Sequence, residues 1–234
     1  MPKPRRKPAA ASQPAVKCPK CGLAQPVEPV TVIQPQDAAF AALMRGTLNV
    51  HACGGCGVKF HLETTLIFRD AARRAIVVLI PADSAEERLT AEKNLDAVLQ
   101  RALSLPDGRE DAELRHLLVC RLTFTRRDMI EKIALLLNGL DDRLVEFVKF
   151  QLFRNKKHDL DPVRQQLLYD FSSPEKQHIA FVVFDRESGK ASAALHVPMD
   201  AYRELASALV TSDDLKQEIA ELFPGHIVTV DLLL

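Results

Sequence analysis

The chain has 234 residues, 31 Lys+Arg against 31 Asp+Glu, with 47% apolar and 26% charged residues. That is the composition of a soluble globular protein of one large or two small domains, and it excludes a chain disordered throughout, a collagen-like chain and a disulfide-dense mini-protein. No apolar run of about 18 residues occurs, so no membrane-spanning helix is expected. The basic start, Met1–Pro8, has no apolar stretch of signal-peptide type behind it, and the expected location is the cytoplasm.

Lys3, Arg5, Arg6, Lys7, Lys17 and Lys20 all precede the first acid, Glu28. Residues 1–16, rich in Pro, Ala and Ser, hold few core-forming groups and read as a disordered basic arm. Such an arm serves as a solubilising tail or makes a salt-sensitive contact with nucleic acid.

Cys18-Pro19-Lys20-Cys21-Gly22 comes next, and Cys53-Gly54-Gly55-Cys56-Gly57 repeats its pattern after the spacer 22–52. Tetrahedral Zn²⁺ takes four soft ligands at about 2.3 Å. Two residues between cysteines make a knuckle that aims both sulfurs at one metal. The glycine after each pair takes a positive φ, so that the backbone curls back and its amides donate to the thiolates. Cys18, Cys21, Cys53 and Cys56 are therefore expected to hold one Zn²⁺. Four cysteines close the coordination sphere, so the expected role is structural, with no catalytic residue and no other cofactor-binding residue. Lys17, Lys20 and Lys59 lie beside the knuckles and offset the negative charge of four thiolates on one dication.

Three other uses of these cysteines stay open. A thioredoxin-like pair wants a strand before the motif and a helix opening at it, which Pro26 and Pro29 oppose. Disulfides need an oxidising compartment, which nothing in the sequence indicates. His51 and His61 flank the second knuckle and are substitute ligands, although a residue two before Cys53 is more simply a strand residue facing the other way.

In chain order, Val27–Ile33 reads as a strand. Pro35-Gln36-Asp37 opens a helix carrying Phe40, Leu43 and Met44, which Gly46 stops, and Leu48–His51 returns as a strand. Val58–Phe68 and Arg74–Ile80 are strands on either side of a turn. The result is a zinc ribbon with a helical insertion. Asp83 or Ser84 caps a helix to about Leu103, with Glu86 and Glu87 in its first turn. Ser104–Gly108 is a loop and Leu117–Phe124 a strand holding Cys120 as a buried thiol. Thr125 caps a helix over Arg126–Asn138, ended by Gly139. Asp141-Asp142 are dipole-complementing caps of a helix whose apolar stripe is Leu144, Phe147, Val148 and Leu152. Phe147, Phe150 and Phe153 read as core rather than as a base-stacking platform.

Asn155–Pro162 is a polar linker. Gln165–Phe171, His178–Phe184 and Ala191–Val197 form a meander. Asp200 caps a helix to about Leu209, Ser212 or Asp213 caps another to Leu222, and His226–Leu234 is a final strand. The fold class is α+β, with a ribbon-and-helix domain over 17–157 and a small α+β domain over 163–234.

Cys18-Pro19-Lys20-Cys21, the later Cys53-x-x-Cys56, Thr64–Asp70 with Val77–Pro81, and the segments Glu131-Lys132-Ile133 and Leu140-Asp141-Asp142-Arg143 together resemble the CpXC family of bacterial and archaeal proteins. The resemblance covers roughly residues 16–155 and departs at Gly54, where a second Cys-Pro is common. It implies zinc at the cysteines and carries no settled activity.

Three functions follow as expectations. The first is a non-catalytic zinc-binding protein that meets a protein partner or a second copy. The second is a nucleic-acid-associated ribbon using the arm with Lys17, Lys20, Arg45 and Lys59. The acidic body and the lack of a basic–aromatic run oppose it. The third is an enzyme whose first support would be a polar pocket with perturbed titrating groups, since no phosphate-loop, dinucleotide, zinc-protease or serine-hydrolase motif occurs.

Overall fold

The computed structural model describes residues 15–104, 116, 119–172 and 177–234. Residues 1–14 of the expected arm, 105–108 of the expected loop and 117–118 of the expected strand lie outside them.

β1 (Ala15–Lys17) and β2 (Ala24–Pro26) form the first antiparallel hairpin, with a knuckle at its tip. β3 (Val32–Ile33) and α1 (Ala38–Met44) follow. β4 (Val50–Ala52) and β5 (Lys59–His61) then form the second hairpin around the second knuckle. β6 (Leu66–Asp70), β7 (Ala75–Leu79), α2 (Ala85–Leu103) and β8 (Val119–Thr123) come next. The body's sheet has the order β3-β6-β7-β8, parallel at its two outer pairs and antiparallel between β6 and β7.

Every residue of β6 and β7 is buried, which requires cover on both faces. The period of two supplies it. Ile67, Ile76, Val78 and Leu122 pack on Ala91, Leu95 and Val98 of α2. Leu66, Phe68, Val77 and Leu79 pack on Leu43 of α1 and on Met129 and Ile133 of α3 (Arg126–Leu137). Ser84 starts α2 with a full capping box closed by Glu87. The inserted helix α1 thus joins the ribbon to the body.

α4 (Asp142–Arg154), β9 (Gln165–Tyr169), β10 (His178–Asp185), β11 (Ala191–Pro198), α5 (Met199–Thr211) and α6 (Asp213–Leu222) complete the chain. The meander is antiparallel in the order β11-β10-β9. One apolar cluster unites Leu135, Leu144 and Phe147 with Ile179, Phe181, Tyr202, Ile219 and Phe223. Phe147 is buried and Phe150 and Phe153 half-buried, as expected of core.

Four expectations need correction. The strand expected over Val27–Ile33 shrinks to Val32–Ile33. Pro29 has no N–H to give, and Val30 is held instead by the Asn49 side chain, whose Oδ1 accepts its N–H at 2.9 Å while Nδ2 donates to its carbonyl at 2.8 Å. Val58–Phe68 is two strands in two sheets, because the last bond of the ribbon ladder, Leu62 N–H to Asn49 carbonyl at 2.9 Å, precedes a turn-away at Glu63–Thr65. Asp200 lies inside the first turn of α5, which Pro198 caps without a side-chain bond. The final strand does not form over His226–Leu234. The His226 carbonyl accepts from Leu122 N–H at 3.0 Å, but the N–H of Val230 goes to Glu146 Oε2 at 2.9 Å, and Val230–Leu232 coils into a 3₁₀ turn.

The fifth correction concerns charge. Asp141 is the expected cap, accepting from Arg143 N–H at 2.9 Å, but Asp142 points inward. It takes both arms of Arg121, Nε at 2.6 Å and Nη2 at 2.7 Å. Lys132 Nζ lies 3.6 Å from Asp142 and 2.7 Å from Glu146. Lys149 Nζ joins Glu146 at 3.0 Å to Glu131 at 2.7 Å. These three cations and three carboxylates are each at most 8% exposed, so their charges cancel in the interior. Burial alone raises Asp142, but Lys132 and Arg121 outweigh it and hold the carboxyl below its ordinary range. Glu146 is lowered likewise, by Lys132 and Lys149 against burial, whereas burial keeps Glu131 above its ordinary value.

Removing one member of a buried ion pair leaves its partner charged and dry. Glu146→Ala is expected to lower stability by about 3–5 kcal/mol in urea unfolding, whereas Arg203→Ala, which breaks an exposed pair with Asp200, is expected to cost under about 1 kcal/mol. A lowered carboxylate contributes stability above its unfolded value, near pH 4, and that contribution is lost as pH falls through the lower folded value. Asp142→Asn is therefore expected to flatten the decline of the unfolding midpoint below about pH 4; an unchanged profile would mean that Asp142 is not held this way.

Candidate metal centre

Each knuckle is a short turn closed by its own backbone. In the first, Cys18 N–H donates to the Leu23 carbonyl at 2.9 Å and Gly22 N–H to the Cys18 carbonyl at 2.9 Å. In the second, Cys53 N–H donates to the Val58 carbonyl at 2.9 Å and Gly57 N–H to the Cys53 carbonyl at 2.8 Å. Gly22 at φ +74° and Gly57 at φ +71° make the left-handed step that lets each turn close. Two separate stretches of sequence have thus built one motif twice.

The hairpins bring the two knuckles tip to tip. All four Sγ atoms lie within 4.8 Å of one another, with Cys18 and Cys56 at 3.7 Å and Cys21 and Cys53 at 3.5 Å. Four thiolates around a tetrahedral ion with bonds of about 2.3 Å stand about 3.8 Å apart, so the donor set fits such an ion. The spacing is too long for S–S bonds, and all five cysteines are free thiols. Cys18 and Cys53 are buried, Cys56 is half-buried and Cys21 exposed, so the cluster sits just beneath the surface.

Backbone amides address the sulfurs. Lys20 N–H and Cys21 N–H point at Cys18 Sγ at 3.4 and 3.5 Å, and Gly55 N–H points at Cys53 Sγ at 3.4 Å. The Cys56 amide, against the pull of burial and with help from the Gly55 amide, brings the Cys53 thiol down to about 6. Burial raises Cys18, but the amides of Cys21 and Lys20 bring it below its ordinary value. The Val58 amide lowers Cys56, yet burial and the three neighbouring sulfurs push it up to about 12. The amides thus favour the charged form at Cys18 and Cys53, while the neighbouring sulfurs disfavour it at Cys21 and Cys56.

The second knuckle is seated by contacts that its sequence alone did not disclose. Gly54 N–H donates to Gln25 Oε1 of β2 at 2.7 Å, a bond that a proline in the place of Gly54 could not make. A Cβ on Gly55 would stand 2.9 Å from Cδ2 of the exposed Leu23 side chain, which would have to swing aside. Gly54, the residue that departs from the Cys-Pro pattern, therefore serves the docking of one hairpin on the other. Below the ribbon, Arg126 of α3 donates to the carbonyls of Leu48 and Leu62, both at 3.3 Å, and fixes the foot of the second hairpin to the body.

The two histidines weighed as substitutes do not join the group. The His51 ring packs edge-on against Phe60 at 5.7 Å, and among the described residues only the four cysteines form a ligand cluster. A second polar site, a cavity of about 310 Å³, is lined by Arg121, Lys132, Asp142 and Arg143. Arg121 and Lys132 are paired with Asp142, while the Arg143 guanidinium donates to the Gly225 carbonyl at 3.3 Å. Asp142 is held below the carboxylate range and Arg121, through Asp142, above its ordinary value, so this pair is fixed in its charged form rather than poised to exchange a proton.

The family model described as CpXC protein matches residues 16–149, from β1 into α4. No curated protein and no solved structure matches the chain. With the naming Cys-Pro-x-Cys at the first knuckle, its counterpart closing the same cluster, and more than half the sequence matched, the chain belongs to the CpXC family.

Proposed function

We propose that the protein is a non-catalytic zinc-binding protein in which one structural Zn²⁺ on Cys18, Cys21, Cys53 and Cys56 fixes the ribbon, and that it acts in the cytoplasm by binding another protein. The observation that carries this reading is the convergence of four sulfurs from two matching knuckles. A soft, tetrahedral, sulfur-only donor set favours zinc over the hard cations. When bound, the ion cross-links two hairpin tips. With all four positions filled by protein, no position remains for a reacting water.

The interaction part rests on the ribbon's surface. Leu23 and Val50 are exposed there, as is Val30 beside it. A cleft of about 490 Å³ beside the first hairpin is lined by Val16, Pro19, Val27, Phe60 and Leu62. Apolar side chains held outward on a rigid frame suit a protein partner.

Elemental analysis of the purified chain is expected to give one zinc per molecule, and Cys53→Ser to abolish stoichiometric binding. Cobalt exchanged into the site is expected to show the intense thiolate-to-metal absorption of a four-sulfur tetrahedral ion. Folded wild-type protein free of any metal, with the hairpins intact, would refute the reading. Gln25→Ala is expected to lower zinc affinity with every ligand still in place, because the Gly54 N–H that seats the second knuckle loses its acceptor. Equal affinity, read by competition with a chromogenic chelator, would show that the knuckles do not dock as described. For the interaction part, a partner protein captured by the wild type is expected to be lost with Cys18→Ser.

A further inference from the structure

The four sulfurs of the cluster are not equally sheltered. Cys18 and Cys53 are each 3% exposed, Cys56 is half-buried, and Cys21 stands at the surface. Across the knuckles, Cys21 Sγ lies 3.5 Å from Cys53 Sγ. Gly55 passes beside both, since a Cβ there would stand 3.8 Å from each of these two sulfurs. Glycine lays no side chain over them, and the neighbouring Leu23 is itself exposed. Cys18 and Cys56 make the second crossing pair, at 3.7 Å. The remaining thiol, Cys120, is buried on β8 and lies outside the cluster.

Thiolates are the form of cysteine that hydroperoxides oxidise, and among thiolates the accessible one reacts first. The sulfenic acid so formed condenses with a sulfur within reach. Here the accessible sulfur is Cys21, and Cys53 stands beside it. In a reducing compartment a disulfide is usually transient and often serves as a sensor.

We propose that the cluster is a peroxide-sensitive switch, in which Cys21 is oxidised first and captured by Cys53, and Cys18 is then joined to Cys56. The inference rests on the zinc reading above, because the bound ion keeps the sulfurs as thiolates. One oxygen of hydrogen peroxide bonds to Cys21 Sγ as the O–O bond breaks, and the other leaves as hydroxide. The Cys53 thiolate then attacks the sulfenic sulfur; the S–S bond forms, the S–O bond breaks and a second hydroxide leaves. Two protons from solvent turn both hydroxides into water. The two thiolates have lost the electron pair that the peroxide gained. A second peroxide does the same with Cys18 and Cys56, and the chain then has no thiolate left in the cluster to hold zinc.

Both bridges run from one hairpin to the other, so the tips stay tied when the ion leaves. The charge of the ribbon changes instead. Four thiolates on one dication are net negative, whereas two disulfides are neutral, and Lys17, Lys20 and Lys59 beside the knuckles lose the charge they offset. The surface around Leu23 thus becomes more positive on oxidation, and reduction reverses the change.

The full chain, purified under reductant, is first assayed for zinc. A chain without it overturns the metal reading and the switch together; a chain that holds it and fails a later step overturns the switch alone. Hydrogen peroxide, one equivalent per disulfide, is expected to pass one zinc per chain to a chromogenic chelator. Peptide mapping without reductant is expected to find Cys21 joined to Cys53 and Cys18 to Cys56, with Cys120 still a free thiol. Dithiothreitol with added zinc is expected to restore full occupancy, and Cys120→Ser is expected to respond as the wild type does. Zinc retained under peroxide, bridges formed within a knuckle, a bridge to Cys120, or a loss that reductant does not reverse would each overturn the switch.

Discussion

Four sulfurs held in one place by two hairpin tips are the constraint on which the amino-terminal third depends. Each hairpin has three-residue strands, far too little to stand alone in water. Their knuckles direct amides at the sulfurs and so favour thiolates, yet thiolates in mutual contact repel. The rise of Cys56 to about 12 beside a Cys53 near 6 is that conflict made visible. A dication held by all four would offset half of that charge, with Lys17, Lys20 and Lys59 beside the knuckles to meet the rest. The bond from Gly54 to Gln25 and the close seat of Gly55 on Leu23 then only have to orient the tips.

The second joint of the molecule is ionic, and it works by a different balance. Burying one ion is expensive, and an isolated pair in the interior seldom repays its lost hydration. Here the charges are chained, each carboxylate meeting two or more donors. Glu146 accepts from Lys132, Lys149 and the Val230 amide, and Glu131 from Lys149 and the Tyr169 amide. The network sets direction more than it adds strength. Arg121 of β8 can reach Asp142 only if α4 starts where it does, and Val230 can reach Glu146 only if the terminal segment lies against α4.

These two joints differ in how far they can be read from sequence. The metal cluster was legible because its spacing is local: Cys-x-x-Cys-Gly is a turn before it is a site, and its repetition announces convergence across the spacer 22–52. Helices were legible from their stripes and caps, as Ser84, Thr125, Asp141 and Ser212 show. The buried charges were not. In α4, Glu146 and Lys149 share the inward face with Leu144, Val145 and Phe147, and a charged residue between apolar ones reads as the outward face until its partners on other elements are known. The same blindness produced the false final strand: Val228 and Val230 are β-branched and buried, but the acceptor for Val230 N–H is a side chain more than eighty residues earlier in the chain. Strand boundaries at Val27–Ile33 and Val58–Phe68 failed because a β-rich run does not say when a chain passes from one sheet to another.

The matched family stretch ends at residue 149, inside α4, and physics does not recognise that boundary. Glu131 and Glu146 lie within the stretch, while the amides they satisfy, on Tyr169 and Val230, lie beyond it. Leu135, Leu144 and Phe147 share their cluster with Ile179, Phe181 and Phe223. Without the later elements the two carboxylates would each lose an acceptor bond in a dry site, and the apolar side of α4 would face water. The meander therefore completes the helical layer on which the body's sheet rests, and through Arg126 that layer grips the foot of the second hairpin. A continuous chain of contacts runs from the ribbon through α3 and α4 to the meander, so the ribbon at one end of it is tied to the carboxy-terminal elements at the other.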